Sequence, residues 1–513
     1  MLSKGFGSAV SGVDALIITI EVNIVDGTEL KLTGLPDSAV KESQYRIESV
    51  FKHNGFRMPR RRVVVNMAPA DIRKEGSAYD LPIALCILNS SSQISIPQSA
   101  LAGYIIMGEL ALDGALRPIK GVLPIAIAAR KKGFKGFILP LENANEAAIV
   151  NDLDIIGVEN IMEAIAFLEG KKHIEPLEYD TRDKFFTDLN NYESDFSNVQ
   201  GQENIKRALE IAAAGGHNVI MIGPPGAGKT MLAKRLPSIL PPLNLQEALE
   251  TTKIHSVAGK LGTHADLITK RPFRSPHHTV SDAALVGGGS IPQPGEISLA
   301  HNGVLFLDEL PEFKRTVLEV MRQPLEERRV TISRARTSLD FPSNFMLIAS
   351  MNPCPCGYYN DPDKECTCGT GQVQRYLNKV SGPLLDRIDL HVEVTPVSFD
   401  EMTQDRKAES SEAIRERVIA AREIQHSRFT ENGIHSNAMM GSQKLKEVCK
   451  INAAGKVLLK TAMEKLGLSA RAYDRILKVS RTIADLAGSE EIQIEHLAEA
   501  IQYRSLDRDS WAG

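Results

Sequence analysis

Three patterns of apolar and polar positions divide the 513-residue chain. Residues 1–168 mix short apolar runs, such as Arg62–Asn66, with the helical periodicity of Leu123–Lys131, which predicts an α+β or α/β domain. Residues 195–400 alternate strand and helix patterns and predict a second α/β domain. Residues 401–513 repeat i, i+3/i+4 apolar spacing with almost no strand pattern, which predicts a helical bundle.

The stretch between the first two domains, residues 169–194, is polar and charged and has few periodic apolar positions, so we interpret it as a linker. Hydrophobic residues make up 43% of the chain and charged residues 24%, which is typical of a globular protein in water. No apolar run approaches the ~20 residues that span a bilayer, and Met1–Phe6 lacks the pattern of a signal peptide. We therefore expect a cytoplasmic protein.

A phosphate-binding motif, G-x-x-x-x-G-K-[ST], follows the apolar run Asn218–Ile222. It consists of Gly223, Pro224, Pro225, Gly226, Ala227, Gly228, Lys229 and Thr230. Its glycines allow backbone N–H groups to surround a β-phosphate. Lys229 supplies positive charge to the β- and γ-phosphates, and the Thr230 hydroxyl is suited to bind Mg²⁺. The motif predicts an ATP site; the alternative is a Gly-rich turn that matches by chance.

An apolar strand, Val304–Leu307, ends in Asp308 and Glu309. Ligands bind at the carboxyl ends of strands in an open α/β sheet, so Asp308 is a candidate for the Mg²⁺ shell and Glu309 for the general base that activates water. The alternative is a strand end capped by two solvated acids. The next apolar run, Phe345–Ser350, leads to Asn352, which either orients the attacking water or forms an Asn-Pro turn.

Two arginines further along the chain are candidates for completing the site. Arg387 lies between Asp386 and Asp389, where it either forms a surface ion pair or reaches the γ-phosphate of a neighbouring subunit. Arg471 stands near the start of an amphipathic helix in the last domain. It is either a solvated helix residue or a contact to nucleotide.

Four of the six cysteines, at positions 354, 356, 366 and 368, form a C-x-C…C-x-C pattern. Thiolates from Cys354, Cys356, Cys366 and Cys368 would suit tetrahedral Zn²⁺, and the turn-rich segment between the pairs allows the chain to fold back. The alternative is four reduced cysteines without a metal. We predict a structural zinc site.

Taken in order, these elements resemble an AAA+ ATPase of the magnesium-chelatase/MCM branch. The segments Arg271–Thr279, Pro294–Phe313 and Asn352–Asp389 agree closely with the YifB/ComM family of magnesium-chelatase-like ATPases, and the similarity extends over the whole chain. The resemblance implies a multidomain α/β protein with an αβα P-loop core, a helix-2 insert and a C-terminal helical lid. It also implies Asn352 as sensor 1, Arg387 as arginine finger and Arg471 as sensor 2, the arginines acting across the subunit boundaries of a hexamer.

The first domain resembles the proteolytic domain of Lon, which has a ribosomal S5 domain 2-like fold, through Gly108–Pro124 and Lys132–Asn143. In that alignment Ala78 occupies the position of the nucleophilic serine and Leu123 that of the catalytic lysine. Ser77 is one position away and Lys120 three, and a Ser–Lys dyad requires both partners within hydrogen-bonding reach. We therefore predict a folded domain that is not a protease.

The net charge of −4 provides no general attraction to nucleic acid, so a DNA contact requires a local basic surface. A predicted strand, Val330–Ile332, belongs to a hairpin that lines the pore in helicase-like relatives. The candidate DNA contacts in this region and in the insert are Arg274, His277, His278, Arg334 and Arg336. They would bind phosphates without reading base sequence, although such clusters are more often solvated faces.

Three functions are compatible with these observations. The favoured one, implied by the family resemblance, is a hexameric ATPase that moves on single-stranded or branched DNA and drives branch migration in recombination or natural transformation. The second is a chelatase-type ATPase subunit that remodels a partner protein. The third, a Lon-like protease, conflicts with Ala78 and Leu123.

Overall fold

A computed structural model describes residues 2–177, 185, 192, 194–261, 267–289, 292–334, 337–359, 364–397, 408–429 and 434–505. Most of the predicted linker therefore lies outside the described residues. The chain divides into two compact units, one formed by Met1–Asp188 with Leu245–Ile268 and the other by Leu189–Asn244 with Thr269–Gly513. Within the described part of the chain, no helix has the length and apolarity needed to cross a membrane.

The described strands are numbered in chain order. They are β1 Ser3–Ser11, β2 Asp14–Val25, β3 Leu30–Thr33, β4 Arg62–Ala68, β5 Tyr104–Ile106, β6 Glu109–Leu110, β7 Leu116–Arg117, β8 Gly136–Pro140, β9 Asp154–Val158, β10 Val219–Ile222, β11 Phe273–Arg274, β12 Gly287–Gly288, β13 Gln293–Pro294, β14 Val304–Leu307, β15 Arg329–Arg334, β16 Thr337–Pro342, β17 Met346–Met351 and β18 Leu390–Glu393.

The described helices are named by their bounds. The α-helices are Ser38–His53, Asp80–Ser90, Gln98–Gly103, Val122–Lys131, Ala144–Ala148, Ile161–Leu168, Glu203–Gly215, Lys229–Arg235, Leu245–Val257, Asp282–Val286, Glu296–Leu299, Arg315–Val320, Arg322–Glu327, Thr370–Leu377, Gly382–Leu385, Ser411–Arg428, Ser442–Val448, Ala453–Lys465, Ala470–Leu486 and Ile494–Gln502. Short 3₁₀ helices cover Leu141–Asn143, Phe196–Asn198, Leu236–Ile239, Leu310–Glu312 and Asn437–Met439.

The first unit is built on a mixed sheet whose described strands run in the order β3-β4-β2-β1-β5-β8-β9. The pairs β4–β2 and β2–β1 are antiparallel and the remaining pairs are parallel. Strand β2 alternates, and Ile18, Ile20 and Val22 are fully buried on one face. The helix Asp80–Ser90 is buried almost all round, as its nearly continuous apolar sequence requires. The predicted α/β class of this region is confirmed.

The helix Leu245–Val257 belongs to the first unit although its sequence lies downstream of the phosphate-binding motif. The Gly121 backbone N–H donates to the Ser256 carbonyl at 3.2 Å, and the Ser256 hydroxyl donates to the buried Glu146 carboxylate. Lys253 Nζ lies 2.7 Å from Asp14 Oδ1. Sequence pattern alone assigned this helix to the second domain, because it does not reveal which sheet a helix covers.

The second unit contains a parallel sheet with the described order β11-β14-β17-β10-β18. Strands β10, β14 and β17 are buried along their whole length, which explains why their sequences are continuous apolar runs instead of alternating ones. Because the strands are parallel and adjacent, the residues that follow β10, β14 and β17 meet at one edge. The sheet therefore brings together three segments that are far apart in sequence.

The C-terminal part of the second unit is helical, as predicted. Helix Ala470–Leu486 buries Ile476 and Ile483 in the same apolar core as β10. A buried carboxylate on this helix, Asp485, accepts hydrogen bonds from Arg428 and Arg481. These charge-assisted bonds satisfy the buried carboxylate and tie the long helices together.

Two small hairpins project from the second unit. Strands β15 and β16 pair antiparallel, which confirms the predicted hairpin strand at Val330–Ile332. Strands β12 and β13 form a shorter antiparallel pair between the helices Asp282–Val286 and Glu296–Leu299. We propose that this second element is the insert that the family resemblance implies.

Candidate active site

The phosphate-binding motif forms the loop between β10 and the helix Lys229–Arg235. Gly226 and Gly228 both have φ of 83°, a left-handed conformation that side chains with a Cβ adopt at a cost. A Cβ on Gly223 would lie 2.1 Å from the Val394 carbonyl oxygen, so only glycine fits at that position. The loop conformation is therefore a direct consequence of the glycine spacing in the sequence.

Lys229 is buried in the loop and makes three hydrogen bonds. Its Nζ donates to the carbonyl oxygens of Gly223 at 2.7 Å and Pro224 at 2.9 Å, and to Asn352 Oδ1 at 3.1 Å. Burial lowers the pKa of Lys229, while the nearby carboxylates of Asp308 and Glu309 oppose that shift. The ammonium group thus donates hydrogen bonds to neutral acceptors. The carboxylates of Asp308 and Glu309 affect it through space, and among the described residues it forms no ion pair with them.

Asp308 lies at the end of β14 and accepts hydrogen bonds from both neighbouring segments. Thr230 Oγ1 donates to Asp308 Oδ2 at 2.7 Å, and the Ser350 hydroxyl and the Glu309 N–H donate to Oδ1. Sequence reasoning named Thr230 and Asp308 as candidate Mg²⁺ ligands, which stays a prediction, and it missed Ser350. Its position at the end of the apolar run before Asn352 was the only signal available. The hydroxyl and carboxylate oxygens are a donor set that Mg²⁺ prefers.

Glu309 has φ of 54° and a largely exposed side chain, 59% accessible. Its Oε2 lies 3.6 Å from Nδ1 of His278, whose ring centroid is 4.0 Å from that of His277. The sequence predicted both histidines as DNA contacts, and the structure places His278 beside the candidate general base. No spacing rule connects these positions, because the contact arises from the pairing of β11 with β14.

The two candidate arginines lie near each other. Arg387 is buried, with Nη2 2.6 Å from Glu326 Oε1, and Arg471 is exposed, with Nη1 3.9 Å from Asp386 Oδ2. Burial lowers the pKa of Arg387, Glu326 opposes the shift, and the charge of Arg471 adds to it. Among the described residues, neither arginine forms a hydrogen bond or ion pair with the phosphate loop of its own chain. Their action on a neighbouring subunit stays a prediction.

The remaining candidate DNA contacts have mixed settings. Arg274 on β11 forms two hydrogen bonds with the Glu296 carboxylate, at 2.6 and 2.8 Å, so its charge is already balanced. His277 Nδ1 lies 2.9 Å from the Thr279 hydroxyl oxygen. Arg334 ends strand β15, and its side chain and all of Arg336 lie outside the described residues.

The four cysteines of the C-x-C…C-x-C pattern come together. Their Sγ atoms all lie within 4.8 Å of one another, with Cys354 Sγ 3.3 Å from Cys356 Sγ and 3.7 Å from Cys366 Sγ. A tetrahedron with Zn–S bonds of ~2.3 Å places sulfurs about 3.8 Å apart. The backbone N–H of Cys356 donates to Cys368 Sγ at 3.4 Å, a bond that favours a thiolate. The cluster fits a structural zinc ion.

In the Lon-like region of the first unit, the polar side chains nearest the two dyad positions do not form a Ser–Lys pair with each other. The Ser77 hydroxyl donates to the Glu109 carboxylate, and Leu123 is fully buried. The aliphatic stem of Lys120 lies against Gly259. Lys74, the buried lysine of this segment, donates to the carbonyls of Pro69 and Ile72.

In this parallel sheet β10 leads to the phosphate loop, the adjacent β17 leads to Asn352, and β14 on the other side of β17 leads to the acidic pair. This arrangement defines a P-loop ATPase of the AAA+ type. Comparison with known proteins agrees. Residues 195–402 match the family magnesium chelatase, subunit ChlI, residues 20–143 match subunit ChlI of Mg-chelatase, and residues 408–504 match its C-terminal family.

The chain is 45% identical to the competence protein ComM of Haemophilus influenzae, over 98% of this chain and 97% of that protein. It is 44% identical to YifB of Escherichia coli over 98% and 96%. The chain therefore belongs to the ComM/YifB family of magnesium-chelatase-like proteins. Lon protease 2 of Bacillus subtilis is 31% identical over 34% of this chain and 31% of its own length, which supports the Lon-like similarity. Membership of this family implies an ATPase that uses ATP and Mg²⁺.

Proposed function

We propose that this protein is a ring-forming ATPase that moves on DNA and remodels branched or single-stranded DNA, most directly by branch migration. The observation that carries the ATPase part is the meeting of Lys229, Thr230, Asp308 and Asn352 at one sheet edge. The DNA part is supported by the full-length similarity to a competence protein and by the presence of Arg334 and Arg336 in the sequence of the hairpin segment. The hexamer is implied by the family resemblance.

The mechanism follows from which hydrogen bonds can be exchanged. The bonds from Lys229 to two backbone carbonyls and to Asn352 join neutral acceptors, so the β- and γ-phosphates compete for the ammonium group favourably. Thr230 and Asp308 would hold Mg²⁺ through their oxygens. When bound, the ion supplies positive charge to the phosphate oxygens. Asn352 is then free to orient the water that Glu309 deprotonates.

His278 gives Glu309 a partner that can hold the carboxylate in one position. At 3.6 Å the pair is close enough for a charge interaction when the imidazole is protonated, and one rotation of the exposed Glu309 side chain would break it. In the proposed cycle Glu309 leaves His278 to accept a proton from water. His278 thereby acts as a positioning residue for the general base.

The arginines explain why a single chain is an incomplete enzyme in this proposal. Arg471 is exposed and loosely paired, so it can reach a neighbouring molecule at little cost. Arg387 is paired with Glu326, so its use as a finger requires that ion pair to open. An interface that supplies a γ-phosphate would offset the loss of the pair. If each nucleotide site takes its arginines from the next subunit, the subunits are arranged head to tail, and such an arrangement can close into a ring.

The cysteine cluster is proposed to hold a structural zinc ion through Cys354, Cys356, Cys366 and Cys368. A structural ion with four thiolate ligands keeps its coordination closed and takes no direct part in hydrolysis. The expected content is about one zinc per chain.

The decisive experiment measures ATP hydrolysis with and without single-stranded DNA and a four-way junction, over a range of salt concentrations. We expect stimulation by DNA that decreases steeply with salt, because phosphate contacts release counterions. Glu309→Gln should retain ATP binding and lose about 100-fold or more in turnover, since the amide cannot act as a base. Glu312→Gln, three positions further on, is the matched control for loss of a nearby charge.

DNA-independent turnover without strand exchange on the junction would favour a chelatase-type motor that remodels a partner protein, the second candidate function. That alternative is supported by the chelatase family matches over most of the chain. A protease is the least supported candidate. Ala78 and Leu123 occupy the positions of the catalytic serine and lysine, and the nearby Ser77 bonds to Glu109.

A further inference from the structure

We propose that the four-cysteine cluster positions the phosphate loop and Asn352, so that nucleotide affinity depends on whether the cluster holds its metal. This inference rests on the proposed nucleotide site and zinc site and assigns a function to their connection. Both lie within the second unit.

The first contact joins the cluster directly to the loop. Gly357 has φ of 89°, and a Cβ built on it would lie 2.4 Å from Cδ and 3.2 Å from Cγ of Pro225. The backbone of Gly357 therefore lies flat against the phosphate loop, at a distance that only glycine permits. The same residue donates its N–H to Cys354 Sγ at 3.2 Å and to the Cys354 carbonyl oxygen at 3.0 Å. The turn from Cys354 to Gly357, which contains a candidate zinc ligand, therefore also packs against Pro225 of the phosphate loop.

The second contact joins the cluster to Asn352 from both directions along the chain. Cys354, fully buried, follows Asn352 by two residues, and Asn352 accepts a hydrogen bond from Lys229. Cys368 immediately precedes the segment that opens the helix Thr370–Leu377, and Tyr376 of that helix lies near the Asn352 backbone N–H. Asn352 therefore lies two residues before the first cysteine pair and near the helix that follows the second pair. A metal that joins the two pairs would hold both of these neighbours of Asn352 in place.

The physical consequence is a change in the conformational freedom of two residues that contact the phosphate loop, Gly357 at Pro225 and Asn352 at Lys229. With the cysteines joined, Gly357 and Asn352 have one arrangement, and the loop is ordered before nucleotide arrives. With the cysteines released, the turn from Cys354 to Gly357 regains conformational freedom, and binding must order it again at a cost in affinity. Hydrolysis requires that Asn352 and Lys229 are both correctly placed at the phosphates. We therefore expect the rate of ATP turnover to fall together with the affinity for nucleotide.

The test is equilibrium binding of a fluorescent ATP analogue to the full-length protein, together with metal analysis of the same samples. Gly357→Ala retains all four cysteines and forces a methyl group towards Pro225. We expect about one zinc per chain and about tenfold weaker nucleotide binding. Pro225→Ala in the Gly357→Ala background removes the ring atoms that the methyl group meets and should recover part of the affinity.

Two control variants separate this contact from general effects. Gly369→Ala lies next to Cys368, and its Cβ would meet nothing within 4 Å. Gly488→Ala has φ of 66° and likewise meets nothing, so it reports the cost of a positive φ by itself. Both should bind zinc and nucleotide as the unaltered protein does.

Removal of zinc with a chelator that spares Mg²⁺ gives an independent measurement if Gly357→Ala folds poorly. Affinity of the unaltered protein should fall and return when zinc is restored. Equal affinity with and without zinc, or unaltered affinity in a zinc-loaded Gly357→Ala protein, overturns the inference and leaves the proposed ATPase intact. Absence of ATP binding by the unaltered protein overturns the proposed function itself.

Discussion

Two sites, one in each unit of this chain, give a charged side chain different kinds of partner. In the second unit Lys229 contacts two backbone carbonyls and an amide oxygen, and each of those acceptors is neutral. In the first unit Arg46 donates to both carboxylate oxygens of Asp80, at 2.6 and 2.9 Å, and the Leu110 N–H donates to one of them. The Asp80 carboxylate is thus balanced by a charge within the fold, whereas the Lys229 ammonium group has neutral acceptors and stands in a phosphate-binding loop, where it is available to an anionic ligand. Neutral acceptors alone do not make such a site, since the buried Lys74 of the first unit also donates to two carbonyls and has no phosphate loop beside it.

The same comparison distinguishes two sequence resemblances, that of the phosphate loop to ATPases and that of the first domain to Lon. The phosphate loop retains the residues that carry the chemistry, and the structure brings Lys229, Thr230 and Asp308 to one edge. The Lon-like region retains the surrounding sequence, but its remaining polar side chains are held within the fold, as Ser77 bonds to Glu109 and Lys74 to two backbone carbonyls. Similarity of a segment therefore predicts a fold more safely than it predicts a reaction.

The largest expected effect comes from Lys229→Ala, which removes the cation that is free of a carboxylate partner. Loss of two charge-assisted phosphate contacts at about 1.5–3 kcal/mol each should weaken ATP binding by about 100-fold or more. Isothermal titration with ATP and Mg²⁺ measures it. Lys234→Ala removes an exposed lysine from the same helix and should bind ATP normally. Equal binding by the two variants would contradict the idea that the Lys229 ammonium group is available to an anionic ligand.

An intermediate effect is expected from Asp80→Ala in the first unit. The Asp80 side chain is fully buried, and its loss leaves Arg46 without its bidentate partner, so the unit should lose about 2–4 kcal/mol of stability. Hydrogen exchange and calorimetry measure this loss, and ATP turnover of the folded protein should stay unchanged. Glu42→Ala, an exposed acid on the same helix as Arg46, should have little effect. A fall in turnover without a fall in stability would show that the first unit takes part in catalysis.

The smallest effect is expected from Ser77→Ala, because its hydroxyl bonds to Glu109 and the lysine position of the dyad is Leu123. Cleavage of casein or peptides should be undetectable in both the variant and the unaltered protein. The free energy of unfolding should change by less than about 1 kcal/mol. Cleavage that disappears on this substitution would restore the protease hypothesis.

The sequence by itself determined the features that depend on local spacing. Glycines at fixed intervals specify the conformation of the phosphate loop, continuous apolar runs predict β10, β14 and β17, and two C-x-C pairs predict a four-sulfur cluster. These predictions succeed because neighbouring residues constrain one another through the backbone. The family resemblance extended them to Asn352, Arg387 and Arg471, whose roles remain predictions.

Only the tertiary structure decided which distant segments touch. It placed His278 beside Glu309, Ser350 on Asp308, Gly357 against Pro225, and the helix Leu245–Val257 in the first unit. None of these contacts leaves a periodic or compositional trace, because each depends on how sheets and loops pack after the local elements have formed. A sequence motif specifies the groups that carry out a reaction, and packing determines which other residues position them.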